Sequence, residues 1–167
     1  MDLRQRQKPL KQQYRQDAAT ARITLTARSA QDASPMTCSV DIGRAVYAAQ
    51  AHAGVGGEGI APCSGDLLLG ALAACAQVTC QMVAHGLRIP VQRISVTAEG
   101  DLDLRGTLGI ADGIPVGFHA IRLRFDLDAP NATPQQIATL REKTERYCVV
   151  MQTLLQPPQI TPSWGGS

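Results

Sequence analysis

Aromatic side chains make up only 4% of this 167-residue chain, so its core must be aliphatic. Charged residues are also few, at 18% against 44% hydrophobic, which excludes a disordered polyelectrolyte and leaves a globular chain long enough to bury one core as a single domain. There is no CxxC and no HxxxH, and His52, His85 and His119 fall on separate segments, so neither a structural zinc nor any other metal or cofactor is expected. GxSxG is absent, which removes the usual serine-nucleophile turn, and so is GxxxxGK[ST], which removes the phosphate loop. The opening segment MDLRQRQKPLKQQYRQD has no apolar signal core, so export is not expected. The five cysteines, at 38, 63, 75, 80 and 148, are odd in number and scattered, unlike a secreted disulfide framework; a reducing cytoplasm is the expected compartment.

What is present begins with a basic arm. Residues 1–17 carry Arg4, Arg6, Lys8, Lys11 and Arg15 against Asp2 and Asp17, a net +3 that leaves the rest of the chain about neutral. No stacking aromatics or recognition helix accompany it, so residues 1–19 are read as a polar solvated arm and not as a nucleic-acid interface. The domain proper is taken as 20–160, with 161–167 a tail.

Within that domain RITLTAR (22–28) and CSVDI (38–42) both alternate apolar and polar residues, the period of half-buried strands, and SAQDASP between them supplies turn residues. AHAGVGGEGIAPCSGD follows, with five glycines among residues 52–65, a loop able to bring its backbone close to other groups. From Ser64, a plausible N-cap, to Gly86, a plausible stop, the apolar run predicts a helix over about 65–85; being apolar on nearly all sides, and interrupted by Gln77 and Gln81, it reads as an enclosed central helix and not as a membrane span. RISVTAEGDLDL (93–104) and FHAIRLRFDLD (118–128) alternate again. Thr133, Pro134 and Gln136 form a capping box with proline at the first helical position, opening a helix that reaches about Tyr147 or Cys148. The order β-β-α-β-β-α predicts an α+β fold.

Cys75 and Cys80 sit on the central helix, and at 100° per residue they are separated by about 140°, so at most one serves a given cavity. A thiol acts as thiolate, and burial in an apolar helix opposes ionisation, so composition and spacing alone favour core filler over nucleophile.

Two segments taken together change that balance. SGDLLLGALAACAQVT, with Cys75, and ERYCVVMQTL, with Cys148, resemble the osmotically inducible protein C and organic hydroperoxide resistance (OsmC/Ohr) family over about residues 20–156. The resemblance implies an intertwined homodimer with a long buried central helix. It implies a thiol-dependent hydroperoxide reductase in which Cys75 is the peroxidatic thiolate and Cys148 the resolving thiol, with an external dithiol as reductant. It also implies an arginine from the early strands beside the thiolate; Arg28 is the best positional match, with Arg22 and Arg44 as alternatives. A family glutamate about ten residues before the first cysteine falls here on Gly65, with Asp66 next to it and Glu58 in the glycine loop, and Val149 stands where many members have proline. These departures motivate the alternative of an OsmC-type fold that binds a small hydrophobic ligand without efficient turnover.

Overall fold

The computed structural model describes residues 3–31, 37–43 and 45–165. The chain falls into two compact units, one made of the chain up to Gly70 together with Thr97–Arg124, the other of Ala71–Val96 together with the chain from Phe125 onward. Helix and strand are mixed, as the α+β expectation required, but the order is richer than the six elements anticipated.

The arm read from the sequence as polar and basic carries a helix, α1 (Leu3–Gln16). Its Arg, Gln, Lys and Leu residues are all good helix formers, and Pro9 removes only one backbone donor from the run. Asp17 then accepts from the Ala19 N–H at 2.9 Å to cap a short 3-10 turn, Ala18–Ala21.

The strand expected at 22–28 begins only at its last residue: β1 is Arg28–Gln31, and Ile23 and Leu25 stand exposed ahead of it. Alternation specifies which face a strand would bury but supplies no partner, and the ladder here uses the next four residues, from Arg28 opposite Asp41 to Gln31 opposite Cys38. β2 (Thr37–Asp41) matches the second expected strand within a residue. A third strand, β3 (Val46–Gln50), was not foreseen; it pairs antiparallel with β2, so that Cys38 lies opposite Ala49 and is half-buried in the sheet. Most of the expected turn between β1 and β2, and Arg44, lie outside the described residues.

In the glycine loop, His52 Nδ1 accepts from the Gly54 N–H at 3.0 Å to start a 3-10 turn, and Gly56 ends it with φ 95°. A Cβ on Gly57 would run into the Ala51 carbonyl oxygen, which is why that position tolerates no side chain.

The long helix, α2 (Ser64–Leu87), is present as predicted, with its start and end set by other residues than expected. The Cys63 carbonyl accepts the first helical bond, from Leu67 at 3.1 Å, and Asp66 returns its carboxylate to the Cys63 N–H at 2.9 Å; Cys63, not Ser64, is therefore the N-cap. At the other end the bonds Ile89 N–H to Ala84 O (2.9 Å) and Arg88 N–H to His85 O (3.2 Å) make a Schellman turn. The left-handed residue in it is Arg88, with φ 56°, and not Gly86.

The expected enclosure of α2 holds for one face only. Leu72, Ala76, Cys80 and Ala84, four residues apart, are buried, whereas Leu68, Val78, Met82 and Leu87 are exposed. By length and composition the helix could cross a membrane, and 22% of its most apolar window is buried within this chain.

β4 (Arg93–Asp101) and β5 (Ala120–Asp128) form a second sheet, with Gln92 N–H bonded to Asp128 O and His119 N–H to Asp101 O at its two ends. The one-turn helix α3 (Leu104–Thr107) lies between them in sequence. Both strands alternate as predicted: Ile94 and Val96 turn inward, as do Phe125 and Leu127. In the second unit Cys80, Ala84, Ile89 and Leu140 form the core, with Val83, Val91, Ile94, Phe125 and Leu127 packed around it. α4 (Pro134–Tyr147) opens with the full capping box on Thr133 and Gln136. A further helix, α5 (Val149–Leu155), follows after the single residue Cys148.

These end groups make a paired prediction. Thr133→Ala should lower the unfolding free energy by about 1 kcal/mol through loss of the cap. Arg88→Gly should raise it by about 0.5–1 kcal/mol by relieving a left-handed residue that carries a side chain. Urea denaturation of the two variants against the parent reads both signs.

Candidate thiol site

The corner between α4 and α5 brings a second sulfur to α2. Cys148 has φ −72° and ψ 105°, an extended conformation that stops one helix and starts another. Its N–H makes the last bond of α4, to Thr144 O at 3.0 Å, and its carbonyl accepts the first bond of α5, from Gln152 at 2.9 Å. Gln152 also reaches back with Nε2 to the Glu145 carbonyl, at 2.9 Å, tying the two helices across the break. Neither proline nor glycine marks this break; two β-branched valines follow it, and full burial of Cys148 fixes it.

A helix leaves its first N–H groups without internal partners, and at the start of α5 those groups are turned toward sulfur. Burial pushes the Cys75 thiol up, but it is opposed by the Val150 N–H, the Cys148 thiol, the Thr79 hydroxyl and the Val149 N–H, all donating to the Cys75 sulfur, and the net effect holds Cys75 below its ordinary value. Cys148 goes the other way: burial pushes it up, and its hydrogen bond to Cys75 and the developing charge there raise it further, although the Met151 and Val150 N–H groups donate to it. The two thiols thus titrate as a pair in which Cys75 gives up the first proton.

Cys80 provides the contrast on the same helix. It is buried and its thiol is pushed up by that burial, which the neighbouring Thr144 does not offset. Two thiols on one helix are thus shifted in opposite directions, Cys80 up and Cys75 down.

Cys75 and Cys148, singled out in the sequence, are therefore brought together within the second unit. Arg28 belongs to the first unit, exposed as the opening residue of β1 opposite Asp41. Arg22 is exposed and closes the 3-10 turn through its backbone N–H. Among the described residues, the donors that depress Cys75 are all neutral. The carboxylates are accounted for as well. Asp66 is held below its ordinary value by the hydrogen bonds from the Cys63 backbone and thiol, so it serves the start of α2. Glu58 is exposed in the glycine loop. Gly65 is packed under Phe118: a Cβ there would meet the Phe118 ring at 3.2 Å and the Cys63 sulfur at 3.5 Å. Among the described residues no group of three His, Cys, Asp or Glu side chains is arranged to hold a metal.

Sequence reasoning missed Thr79 and the backbone of Val149 and Val150. Thr79 could have been found from its spacing, since it follows Cys75 by one helical turn. The valine amides could not, because no residue type announces a helix that restarts after one residue.

This arrangement is that of a paired-thiol α+β protein, and comparison with known proteins agrees. The model of the OsmC-like protein family matches residues 56–163, and the chain belongs to that family. Among solved structures it is similar to an OsmC-like protein from Mycoplasma pneumoniae, with TM-score 0.66 and 16% identity over 81% of this chain and 89% of that one. It is also similar to an organic hydroperoxide resistance protein from Legionella pneumophila, with TM-score 0.58 and 17% identity over 79% and 89% of the two chains. A third similar structure is an organic hydroperoxide resistance protein from Elizabethkingia anophelis, with TM-score 0.59 and 18% identity over 79% and 88%. A search of curated proteins gave no match.

The opposed shifts set an order of reactivity. In the intact reduced protein, Cys75 should be alkylated by iodoacetamide at lower pH than Cys80 or Cys148. Peptide-level mass spectrometry across a pH series should show Cys75 labelled first and its midpoint below that of a free thiol.

Proposed function

We propose that the protein is a thiol-dependent hydroperoxide reductase in which Cys75 attacks peroxide and Cys148 resolves the product. The observation that carries this reading is the meeting of two thiols with opposite acidities: an activated sulfur on α2, and a protonated, buried one in reach of it. The Cys75 thiolate attacks the distal peroxide oxygen; an S–O bond forms as the O–O bond breaks, and the alkoxide takes a proton and departs as an alcohol. Cys75 is left as sulfenic acid. The Cys148 sulfur then displaces that oxygen as water, forming the disulfide. An external dithiol supplies the two electrons and two protons that restore both thiols.

In this reading the protein is a homodimer, and the exposed apolar face of α2, with Val78, Met82 and Leu87, is covered by a second copy. Five free thiols accord with a reducing cytoplasm. Arg28 keeps the part that the family resemblance gives it, beside the thiolate during turnover.

A second reading rests on one specific observation. The place of the family's carboxylate is Gly65, with Phe118 packed against it, so a protein that binds a small hydrophobic ligand without efficient turnover is the alternative. Native mass spectrometry of gently purified protein would show a retained ligand in that case.

Mixing reduced protein with cumene hydroperoxide decides between them. The reductase should lose two titratable thiols per chain; Cys75→Ser should abolish the loss, Cys148→Ser should stop at a sulfenic acid that dimedone traps, and Arg28→Ala should slow it at least several-fold. Full retention of thiols in the parent protein would remove the reductase reading.

A further inference from the structure

The break at Cys148 removes one hydrogen bond from the end of α4. In an unbroken helix the Glu145 carbonyl would accept from the Val149 N–H, four residues on. With ψ 105° at Cys148 in place of a helical value near −42°, the peptide that carries the Val149 N–H is turned by about 150°, and that donor no longer points back along α4. Gln152 fills the vacated place: its Nε2 donates to the Glu145 carbonyl at 2.9 Å. In a continuous helix these two residues would stand two turns, about 10 Å, apart along the axis, and the carbonyl would already be taken. The contact therefore belongs to the bent chain. Gln152 also donates its backbone N–H to the Cys148 carbonyl at 2.9 Å, while Cys148 donates its own to Thr144 O at 3.0 Å. One glutamine thus holds the corner by side chain and by backbone, with the fully buried Cys148 between its two anchor points.

Resting on the reductase reading above, we propose that Gln152 is a positioning residue for the resolving step: by donating its side-chain amide to the Glu145 carbonyl it stabilises the broken helix over the continuous one, and so keeps the Cys148 sulfur presented to Cys75. It acts through Cys148 and not on the reacting atoms. The acceptor is backbone, so the identity of residue 145 does not matter to it; the Glu145 carboxylate is engaged separately, with Arg141 at 3.0 Å. Gln152 is half-buried, so water competes less for its amide than at an exposed position. Its neighbours cannot take over the part, because Met151 and Thr153 each stand about 100° away around α5. Without the side-chain donor the Glu145 carbonyl is left to recapture the Val149 N–H. That straightens the chain at residue 148 and carries the resolving sulfur away, so a sulfenic acid on Cys75 waits longer for its partner.

The test is the effective concentration of Cys148 for Cys75 in the full chain, set against glutathione. Parent, Gln152→Met and Gln152→Lys proteins are equilibrated with reduced and oxidised glutathione, and peptide mass spectrometry counts the Cys75–Cys148 disulfide against the Cys75–glutathione mixed disulfide. Methionine keeps the length and removes the donor; lysine keeps a donor on a stem of similar reach. Gln152→Met should lower the ratio of internal to mixed disulfide about 3–10-fold at a given glutathione concentration. After cumene hydroperoxide it should also raise the share of Cys75 that dimedone captures, and Gln152→Lys should return most of both effects. A Gln152→Met ratio equal to or above that of the parent overturns the proposal, whether or not the variant melts at a lower temperature. So does a Gln152→Lys ratio as low as that of methionine, and so does a parent that forms no internal disulfide at all. Failure of the reductase reading looks different: the parent protein consumes no peroxide and yields no dimedone adduct, yet the glutathione ratios of the three proteins remain measurable.

Discussion

A single extended residue between two helices sets the surroundings of two sulfurs in this protein. Cys148 breaks the chain at ψ 105°, and the break does two things at once: it buries one sulfur and restarts a helix whose first amides have no internal partners. Those amides satisfy themselves on sulfur. Had α4 continued through residue 148, the amides of Val149 and Val150 would have been spent on carbonyls one turn back, and Cys75 would have lost the largest influence opposing its burial. The Gln152 bond to the Glu145 carbonyl and the capping box at the far end of α4 are the supports that keep this corner where it is.

Electrostatic help from oriented neutral dipoles differs in kind from help by a cation. A guanidinium acts over a Debye length and is screened by salt, whereas a donated hydrogen bond in a half-buried site is short-ranged and largely indifferent to ionic strength. The described donors to Cys75 are of the second kind. Among the described residues these donors favour charge on Cys75 over Cys148.

Much of the architecture was legible in the chain. The capping box at Thr133 and Gln136, the alternation in β4 and β5, and the long apolar run of α2 each carry a local signal that the folded protein obeys, because each is settled by contacts within its own element. The pairing of Cys75 with Cys148 was legible only through family resemblance, since nothing in spacing alone brings residues so distant in sequence together. The misreadings share a cause. The strand expected at 22–28, the unforeseen β3 and the full enclosure of α2 all depend on which partner a segment finds, and periodicity names a face without naming its neighbour. Arg88 in the left-handed region is a further case: Gly86 was the residue with the lower intrinsic cost, but Ile89 has to reach the core beside Ala84, and that fixes the turn two residues later than glycine would have it.

The packing of Phe118 over Gly65 couples two positions far apart in sequence. A Cβ at 65 would stand 3.2 Å from the ring and 3.5 Å from the Cys63 sulfur, so any larger residue there obliges the ring to give by a few tenths of an ångström. The opening turn of α2 and the aromatic above it are fitted to each other, and a substitution at either is felt at both.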